Sequence, residues 1–430
     1  MADVLAYAEV LLWGDTAGAV VEMDDGAIVF EYSDRFRRTG LEISPVHLPT
    51  SISGPVRFDE LRRVDAFQGL PGVLADALPD AFGKEVIRAY HTARGEEEKA
   101  FSPVQNLLYV ADRAVGALEF RPPEDLALRS AEAEALEVAE LVGEVRKILS
   151  GKVDVALHEI YRLGSSAGGA RPKALVLWNR ATNEIRSAFA PRQDGDVPCL
   201  LKFDGVGDDA PDGGLGASQP YNRVEAAYSA MARDAGLDAA PVEMLEGEEG
   251  HAHLLIPRFD RDGDEKVHQH TLGGLLHVDY NRPGASSYEE FLRTILRLEM
   301  PHAAVLEGFR RMLFNVVAVN QDDHVKNLSF HLDRSGAWSL APAYDLTFAK
   351  GRGWTAEHQM RVVGKRSGMS RADLIALGET FGIRAPGRLV EQVEDVVARW
   401  PDYAGDFGVE AGTRQRVEAE LEARRQELKA

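Results

Sequence analysis

The sequence has a single cysteine, Cys199, among 430 residues. One cysteine excludes an internal disulfide framework and a cysteine-rich zinc site. No stretch approaches 18 consecutive apolar residues, so no membrane-spanning helix is expected. Positive charge is also scarce, because 49 Lys and Arg accompany 69 Asp and Glu, which gives a formal net charge of −20. Such an acidic chain is a poor direct ligand for nucleic-acid phosphates or for an anionic membrane.

The remaining composition is that of an ordinary globular protein, with 45% hydrophobic and 27% charged residues. The first residues, "MADVLAYAEVLLWG", lack the basic flank of a signal peptide, so a cytoplasmic location is expected. The order of patterns predicts a β-rich first part, a β-rich middle and a helical last part, divided as residues 1–125, 126–260 and 261–430. Within the first part, residues 106–124 are predicted to form a pair of strands.

Charged and amide side chains are concentrated in one stretch, "NQDDHVKNLSFHLDRSGAWSLAPAYDLT", residues 320–347. Asp322 and Asn327 are five residues apart in a loop that follows a predicted helix. Residues 328–332 and 337–341 are predicted to form a hairpin closed by "DRSG", and Asp345 follows the second strand. The hairpin would bring two carboxylates and an amide together, and hard oxygen ligands of this kind suit Mg²⁺.

This order and the first spacing are typical of a protein-kinase catalytic loop, in which an aspartate base precedes a metal-binding asparagine by five residues. Asp322 would accept the proton of an attacking hydroxyl, and Asn327 and Asp345 would hold Mg²⁺ against the ATP phosphates. Lys326 or His324 could neutralise developing phosphate charge. The alternative is a polar surface loop in which Asp345 caps the next helix.

A phosphotransferase also needs a phosphate cradle and a lysine. The segment "GSSAGGARPK" (164–173) supplies glycines before a predicted strand, although it lacks the Walker pattern. Lys202 ends a second predicted strand, from which it could reach the α- and β-phosphates, and Glu225 in the next helix could pair with it. The strand that ends at Pro257 and Phe259 would offer backbone groups to adenine. Taken singly, each has a plainer explanation. The glycine-rich segment is a common turn, Lys202 is a snorkelling lysine, Glu225 is a solvated helix charge and the last is a buried strand.

Two other patterns are rejected as metal sites. "DRDGDEKVH" (260–268) resembles a calcium loop but has Glu265 at the position of the required glycine and Thr271 at that of the bidentate glutamate. His268, His270 and His277 have no cysteine or nearby carboxylate that completes a zinc set, so they are predicted to be structural or surface histidines.

Taken in order, these motifs resemble the HipA family, the serine/threonine kinase toxins of bacterial toxin–antitoxin pairs. The resemblance is carried by "GLPGVLADALPDAFG" (69–83), "LLYVADRAVGALEF" (107–120), "SSAGGARPKA" (165–174), "LLKFD" (200–204), "RFDR" (258–261), "DDHVKN" (322–327) and "LAPAYDLTF" (340–348). It implies an α+β, kinase-like two-lobed fold with a small β-rich N-terminal subdomain and an all-helical C-terminal lobe.

The resemblance also implies site roles, with Asp322 as the base and with Asn327 and Asp345 on Mg²⁺. It implies ATP contacts from Gly168, Gly169, Ala170, Arg171, Pro172, Lys173, Lys202, Pro257, Arg258, Phe259, His324, Lys326, Asn327 and Tyr344. Autophosphorylation of the glycine-rich loop, which inactivates family members, would fall on Ser166, or otherwise on Ser165. The sequence departs from better-known members at Arg171-Pro172, where those have Gln-Glu, and at Pro257, where some have Glu.

The resemblance further implies partners. A small DNA-binding antitoxin of the HipB type would carry the DNA contact, which suits an acidic kinase chain. Aminoacyl-tRNA synthetases are the implied protein substrates. Two other interpretations stay open. "DDHVKN" also resembles the loop of phosphoinositide kinases, which favours a small-molecule or lipid kinase. A non-catalytic co-repressor would only stiffen a complex of the antitoxin with DNA.

Overall fold

The computed structural model describes residues 3–79, 83–84, 101–122, 173–188, 190–205, 218–247 and 250–429. The chain folds into two compact units. The first contains Met1–Gln219 with Glu243–His270, and the second contains Pro220–Val242 with Thr271–Ala430. The predicted division after residue 125 lies outside the described residues. No helix in the described part of the chain combines the length and apolarity needed to cross a membrane.

The first unit begins with an antiparallel sheet in the order β3-β2-β1-β4. Its strands are β1 (Val4–Leu12), β2 (Asp15–Met23), β3 (Ile28–Tyr32) and β4 (Leu118–Arg121). Short helices accompany it: α1 (Asp34–Arg37), α2 (Gly72–Ala75) and α3 (Pro103–Val110). The β1–β2 turn consists of Trp13 and Gly14, both at positive φ (52° and 85°). Two such residues make the tight turn whose twist matches a hairpin.

The prediction of two strands within residues 106–124 is wrong in its first half. Residues 103–110 form helix α3, and only Leu118–Arg121 is a strand. The helix begins with a capping box, in which Ser102 and Gln105 exchange side-chain and backbone hydrogen bonds, and Pro103 occupies the first turn. These signals fix a helix start regardless of the short apolar run that follows.

A second antiparallel sheet in the first unit has the order β6-β5-β7-β9-β8. Its strands are β5 (Lys173–Asn179), β6 (Glu184–Ser187), β7 (Asp196–Lys202), β8 (Glu243–Glu246) and β9 (Ala252–Pro257). Every residue of β5 is buried, as expected for an inner strand covered on both faces. On β7, Cys199 is buried, and this burial raises the pKa of its thiol to about 12.

The segment rejected as a calcium loop forms a small hairpin of β10 (Arg261–Asp262) and β11 (Glu265–Lys266), followed by β12 (His268–Thr271). His270 is buried, with Nδ1 at 2.6 Å from Asp76 Oδ2 and Nε2 at 3.0 Å from Ser44 Oγ. His268 is also buried, and its Nε2 lies 3.1 Å from the carbonyl oxygen of Ile43. These contacts agree with structural roles for both histidines.

The second unit is mainly helical and contains the hairpin of residues 329–340. Its elements are α4 (Tyr221–Asp234), α5 (Leu272–Leu276), α6 (Tyr288–Arg297), α7 (His302–Val317), β13 (Ser329–Leu332), β14 (Trp338–Leu340), α8 (Arg371–Thr380), α9 (Pro386–Val397), α10 (Trp400–Asp406) and α11 (Ala411–Lys429). The predicted hairpin at 328–341 is confirmed, with Phe330 opposite Leu340.

Helix α7 leads directly into the charged loop, residues 322–327. Side chains from other helices hold the C-terminal end of α7. Tyr228 on α4 donates a hydrogen bond to the carbonyl oxygen of Ala318 (2.8 Å). The buried Arg424 of α11 donates from Nε to the carbonyl oxygen of Val316 (3.2 Å) and from a terminal nitrogen to that of Met369 (2.9 Å). The carbonyl groups that a helix end leaves unpaired are thus satisfied by side chains, which fixes where the loop begins.

Candidate active site

Hydrogen bonds join the two ends of the charged loop, Asp322 and Asn327. The backbone N–H of His324 and the Nδ2 of Asn327 both donate to the carbonyl oxygen of Asp322, at 2.9 and 3.0 Å. Residues Val325–Asn327 form a single 3₁₀ turn. Because its Nδ2 is committed to this bond, Asn327 presents its Oδ1 as the available end of the amide.

Asp345 is brought to this loop by pairing on both sides of it. On one side, Ala343 forms a parallel bridge with Ala239. On the other side, Ala349 bridges Asn320, and its carbonyl oxygen accepts the N–H of Gln321 at 2.9 Å. Asp345 itself adopts a positive φ of 52°, which a non-glycine residue rarely does and which is often found at functional sites.

His324 lies beside the Asp322 carboxylate. Its Nε2 lies 3.9 Å from Asp322 Oδ1, and its side chain is only 12% exposed. Burial lowers its pKa from the ordinary value, although the Asp322 and Asp345 carboxylates oppose this shift. The imidazole is therefore mostly neutral at pH 7, which leaves Lys326 as the better candidate for neutralising phosphate charge. The Nζ of Lys326 lies 4.6 Å from the ring centroid of Tyr280.

Tyr344, which is predicted to contact ATP, uses its hydroxyl for hydrogen bonds to the loop and the hairpin. Its hydroxyl donates to the carbonyl oxygen of Lys326 (2.5 Å) and lies 2.6 Å from Ser329 Oγ. The phenol thus joins the hairpin to the loop backbone next to Asn327. This interaction constrains the position of the amide that is predicted to hold Mg²⁺.

The buried Asp323 was not assigned a role from the sequence, yet it organises the loop. Its carboxylate accepts hydrogen bonds from the hydroxyl of Tyr288 (2.8 Å), Nδ1 of His358 (2.9 Å) and the backbone N–H of Gln359 (2.7 Å). A buried carboxylate is tolerated when it is hydrogen-bonded in this way. The only sequence signal was its adjacency to Asp322, because its partners lie about 35 residues away on either side.

The donor set suits Mg²⁺ completed by a substrate. Asp345 offers a carboxylate and Asn327 an amide oxygen, and Mg²⁺ usually takes one or two carboxylates together with substrate phosphates and waters. Over the described ranges, no group of three or more His, Cys, Asp or Glu could hold a metal without other ligands. Asp345 and Asn327 therefore fit a divalent cation whose remaining ligands are substrate phosphates and waters.

In the first unit, Lys173 and Lys202 are cross-strand partners on β5 and β7, and both are buried. Two ammonium groups at one sheet position suit an anionic ligand. Lys202 is followed by the buried Asp204, which the sequence did not single out. Its carboxylate accepts from the backbone N–H groups of Gly205 (2.7 Å), Gln219 (2.8 Å) and Ala252 (3.0 Å) and from the hydroxyl of Ser218 (2.6 Å).

The predicted adenine segment ends strand β9. The side chain of Arg258 is committed to a buried ion pair with Asp260, with contacts of 2.9 and 2.6 Å, and its backbone N–H donates to the carbonyl oxygen of Pro198 (2.8 Å). Arg258, Arg261 and the N–H of Gly116 hold the pKa of Asp260 well below its usual range despite its burial. Any nucleotide contact of Arg258 would therefore involve its backbone carbonyl.

The roles of the remaining predicted site residues stay predictions. Glu225 is buried on α4, and its predicted pairing with Lys202 would join residues of different units. The glycine-rich loop lies outside the described residues, and with it lie Ser165, Ser166, Gly168, Gly169, Ala170, Arg171 and Pro172.

The fold is kinase-like. It matches HipA from Shewanella oneidensis, solved in a complex with HipB and its operator DNA, with a TM-score of 0.68 over 97% of this chain and 96% of that one, at 18% sequence identity. The predicted fold class is therefore confirmed.

The chain belongs to the HipA family. Residues 165–401, more than half of the chain, match the HipA-like C-terminal domain, and residues 8–121 match the HipA N-terminal domain. The family resemblance inferred from the motifs is thus confirmed.

Two curated relatives align over parts of the chain. A Haemophilus influenzae protein named "Putative kinase" is 36% identical over 110 residues, which cover 23% of this chain and 32% of that protein. A Sinorhizobium fredii protein named "Putative kinase Y4mE" is 30% identical over 208 residues, which cover 44% and 49%. The chain thus spans between about a third and a half of the length of these relatives.

Proposed function

We propose that this protein is an ATP- and Mg²⁺-dependent serine/threonine protein kinase that acts as the toxin of a toxin–antitoxin pair. The observation that carries the proposal is the arrangement of Asp322, Asn327 and Asp345. Asp322 and Asn327 are joined through one carbonyl oxygen, and the segment that carries Asp345 is paired to the start of this loop by the bridge between Ala349 and Asn320. A base, an amide oxygen and a second carboxylate in this arrangement are the parts that phosphoryl transfer requires.

Each residue has a defined task in this proposal. Asp322 accepts the proton of the attacking serine or threonine hydroxyl. Asn327 and Asp345 hold Mg²⁺, which neutralises charge on the phosphates when it is bound. Lys326 adds a positive charge beside the loop. In the first unit, Lys173 and Lys202 bind phosphate oxygens, and the backbone at Pro257 and Phe259 binds adenine. These assignments are supported by burial and geometry within each unit.

Regulation and partners are proposed from the family. The glycine-rich loop carries the autophosphorylation site, Ser166 or otherwise Ser165, and its phosphorylation inactivates the kinase. A HipB-like antitoxin binds the kinase and contacts DNA, as HipB accompanies HipA and operator DNA in the Shewanella complex. The protein substrate is an aminoacyl-tRNA synthetase in the cytoplasm, whose phosphorylation stops translation.

The deciding experiment is phosphoproteomics after expression of the wild type, of Asp322→Asn and of Asp395→Asn. Asp395 is an exposed carboxylate on α9 and serves as the matched control. We expect a phosphoserine at position 165 or 166 and a synthetase phosphopeptide with the wild type and the control, and neither with Asp322→Asn. Undiminished autophosphorylation by Asp322→Asn would remove the assigned base. Labelling of lipid or metabolite alone would replace the protein kinase with a small-molecule kinase.

A further inference from the structure

The two carboxylate oxygens of Asp322 have different surroundings. Oδ1 accepts the indole N–H of Trp354 at 2.6 Å and also faces Nε2 of His324 at 3.9 Å. Among the described residues, none donates a hydrogen bond to Oδ2. The side chain of Asp322 is 41% exposed, so one oxygen is held by the protein and the other is accessible from outside.

The backbone of Trp354 is tied through Gln359 to the buried carboxylate of Asp323. The carbonyl oxygen of Trp354 accepts a hydrogen bond from Nε2 of Gln359 at 2.5 Å. The backbone N–H of the same glutamine donates to Oδ1 of Asp323 at 2.7 Å. The second aspartate of the pair therefore anchors the segment whose tryptophan restrains the first aspartate.

The local structure around Trp354 supports the hydrogen bond between its indole and Asp322. Trp354 opens a 3₁₀ turn closed by the bond from the N–H of Ala356 to the carbonyl oxygen of Gly353 (3.1 Å). Gly353 adopts a φ of 82°, a conformation that favours glycine. The indole ring also packs edge-on against His324, with centroids 6.4 Å apart. A hydrogen bond to a carboxylate is roughly twice as strong as one between neutral groups, so it can orient an exposed side chain.

We propose that Trp354 is a positioning residue for phosphoryl transfer, which holds Oδ1 of Asp322 so that Oδ2 receives the proton of the acceptor hydroxyl. This inference rests on the proposed kinase function. In the step it serves, Oδ2 accepts the hydroxyl proton while the hydroxyl oxygen forms a bond to the γ-phosphorus. The bond from that phosphorus to the β–γ bridging oxygen breaks, and its electron pair leaves on ADP. Without the indole, the carboxylate rotates, and fewer bound complexes have the productive geometry.

The test compares Trp354→Phe, which keeps a ring and removes the N–H, with Trp13→Phe as the matched control. Trp13 also donates its indole N–H, to the carbonyl oxygen of Lys266 at 2.7 Å. We expect the kcat of Trp354→Phe to fall about tenfold while its KM for ATP stays unchanged, which is the pattern for an interaction that matters in the transition state. Trp13→Phe should keep both constants.

A spectroscopic measurement tests the same contact without relying on kinase activity. The chain has five tryptophans, so ¹⁵N-tryptophan labelling gives five indole N–H signals, and Trp354→Phe identifies one of them. We expect that signal to move when Asp322 is changed to Ala and to stay in place in Asp395→Asn. If the Trp354 indole signal does not move in Asp322→Ala, the inference is overturned, even if Trp354→Phe folds poorly.

The kinetic outcomes separate this inference from the proposed function. An unchanged or increased kcat in Trp354→Phe, with an active wild type, overturns the positioning role and leaves the kinase assignment intact. A wild type with no transfer to itself or to any protein overturns the proposed function, and this inference falls with it.

Discussion

Lys173 and Lys202 lie directly opposite each other on neighbouring strands, and both side chains are buried. Cross-strand partners have Cβ atoms about 4.5–5.5 Å apart, and like charges at this spacing destabilise a sheet. Burial adds a desolvation cost for each ammonium group. Two cations at one position of the sheet are well suited to a ligand with several negative charges, such as a nucleotide triphosphate.

We therefore expect Lys202→Met to weaken ATP binding at least about tenfold, because a hydrogen bond to a charged group contributes about 1.5–3 kcal/mol. The measurement is the rise in melting temperature on adding ATP with Mg²⁺, followed across a concentration series. Lys365→Met is the matched control, because its exposed ammonium pairs with Asp373 at 2.6 Å. A full ATP-dependent shift in Lys202→Met would remove this lysine from the nucleotide site.

The adjacent residues Asp322 and Asp323 should separate activity from stability. Asp323→Asn places an amide among three donors, so at least one buried hydrogen bond is lost, and the free energy of unfolding should fall by about 2–4 kcal/mol. Asp322→Asn keeps an acceptor for the Trp354 indole at a partly exposed site, so it should lower this free energy by about 1 kcal/mol or less. Urea unfolding monitored by circular dichroism measures both variants. Equal stabilities would show that the Asp323 network contributes little.

Stability should decline in mild acid because of His253. Burial lowers its pKa from 6.5 to about 4, and its Nδ1 accepts the backbone N–H of Asp204 at 3.0 Å, which requires the unprotonated nitrogen. Between these pKa values the unfolded chain binds more protons than the folded one. The group's contribution is therefore complete above about pH 6.5 and is lost as the pH falls towards 4, by about 2 kcal/mol at pH 5.

His253→Asn keeps an acceptor near the position of Nδ1 and removes the titration. We expect the difference in unfolding free energy between pH 8 and pH 5 to be smaller in this variant than in the wild type. Urea unfolding at the two pH values gives the comparison. An identical pH dependence would assign the acid sensitivity to other groups.

The packing of α6 against α7 should tolerate no added methyl at Gly308. A Cβ there would lie 2.8 Å from Ile295 Cδ1 and 2.9 Å from Leu292 Cδ2. Overpacking of this kind costs about 1–3 kcal/mol, which is more than the roughly 0.5–1 kcal/mol that Ala gains over Gly in a helix, so Gly308→Ala should still lower the melting temperature. Gly405→Ala is the control, since its Cβ meets nothing within 4 Å on helix α10, and it should stabilise by about 0.5–1 kcal/mol. Thermal melts of both variants decide the point.

The sequence predicted the parts of the site that depend on local spacing. The five-residue interval from Asp322 to Asn327 and the "DRSG" turn are local signals, so the loop and hairpin were found. The contacts of Asp323 and Trp354 were not, because they join segments more than 30 residues apart and follow no periodicity. Helix α3 was misassigned because its short apolar run suits either structure, while its capping box was overlooked.

The burial of Cys199 has a practical consequence for studying this chain. A thiol whose pKa is about 12 and which is enclosed by a sheet carries almost no thiolate at neutral pH. The chain has no other cysteine. Any cysteine introduced on the surface would therefore react alone with a maleimide dye or spin label, and the wild-type sequence serves as its own unreactive background.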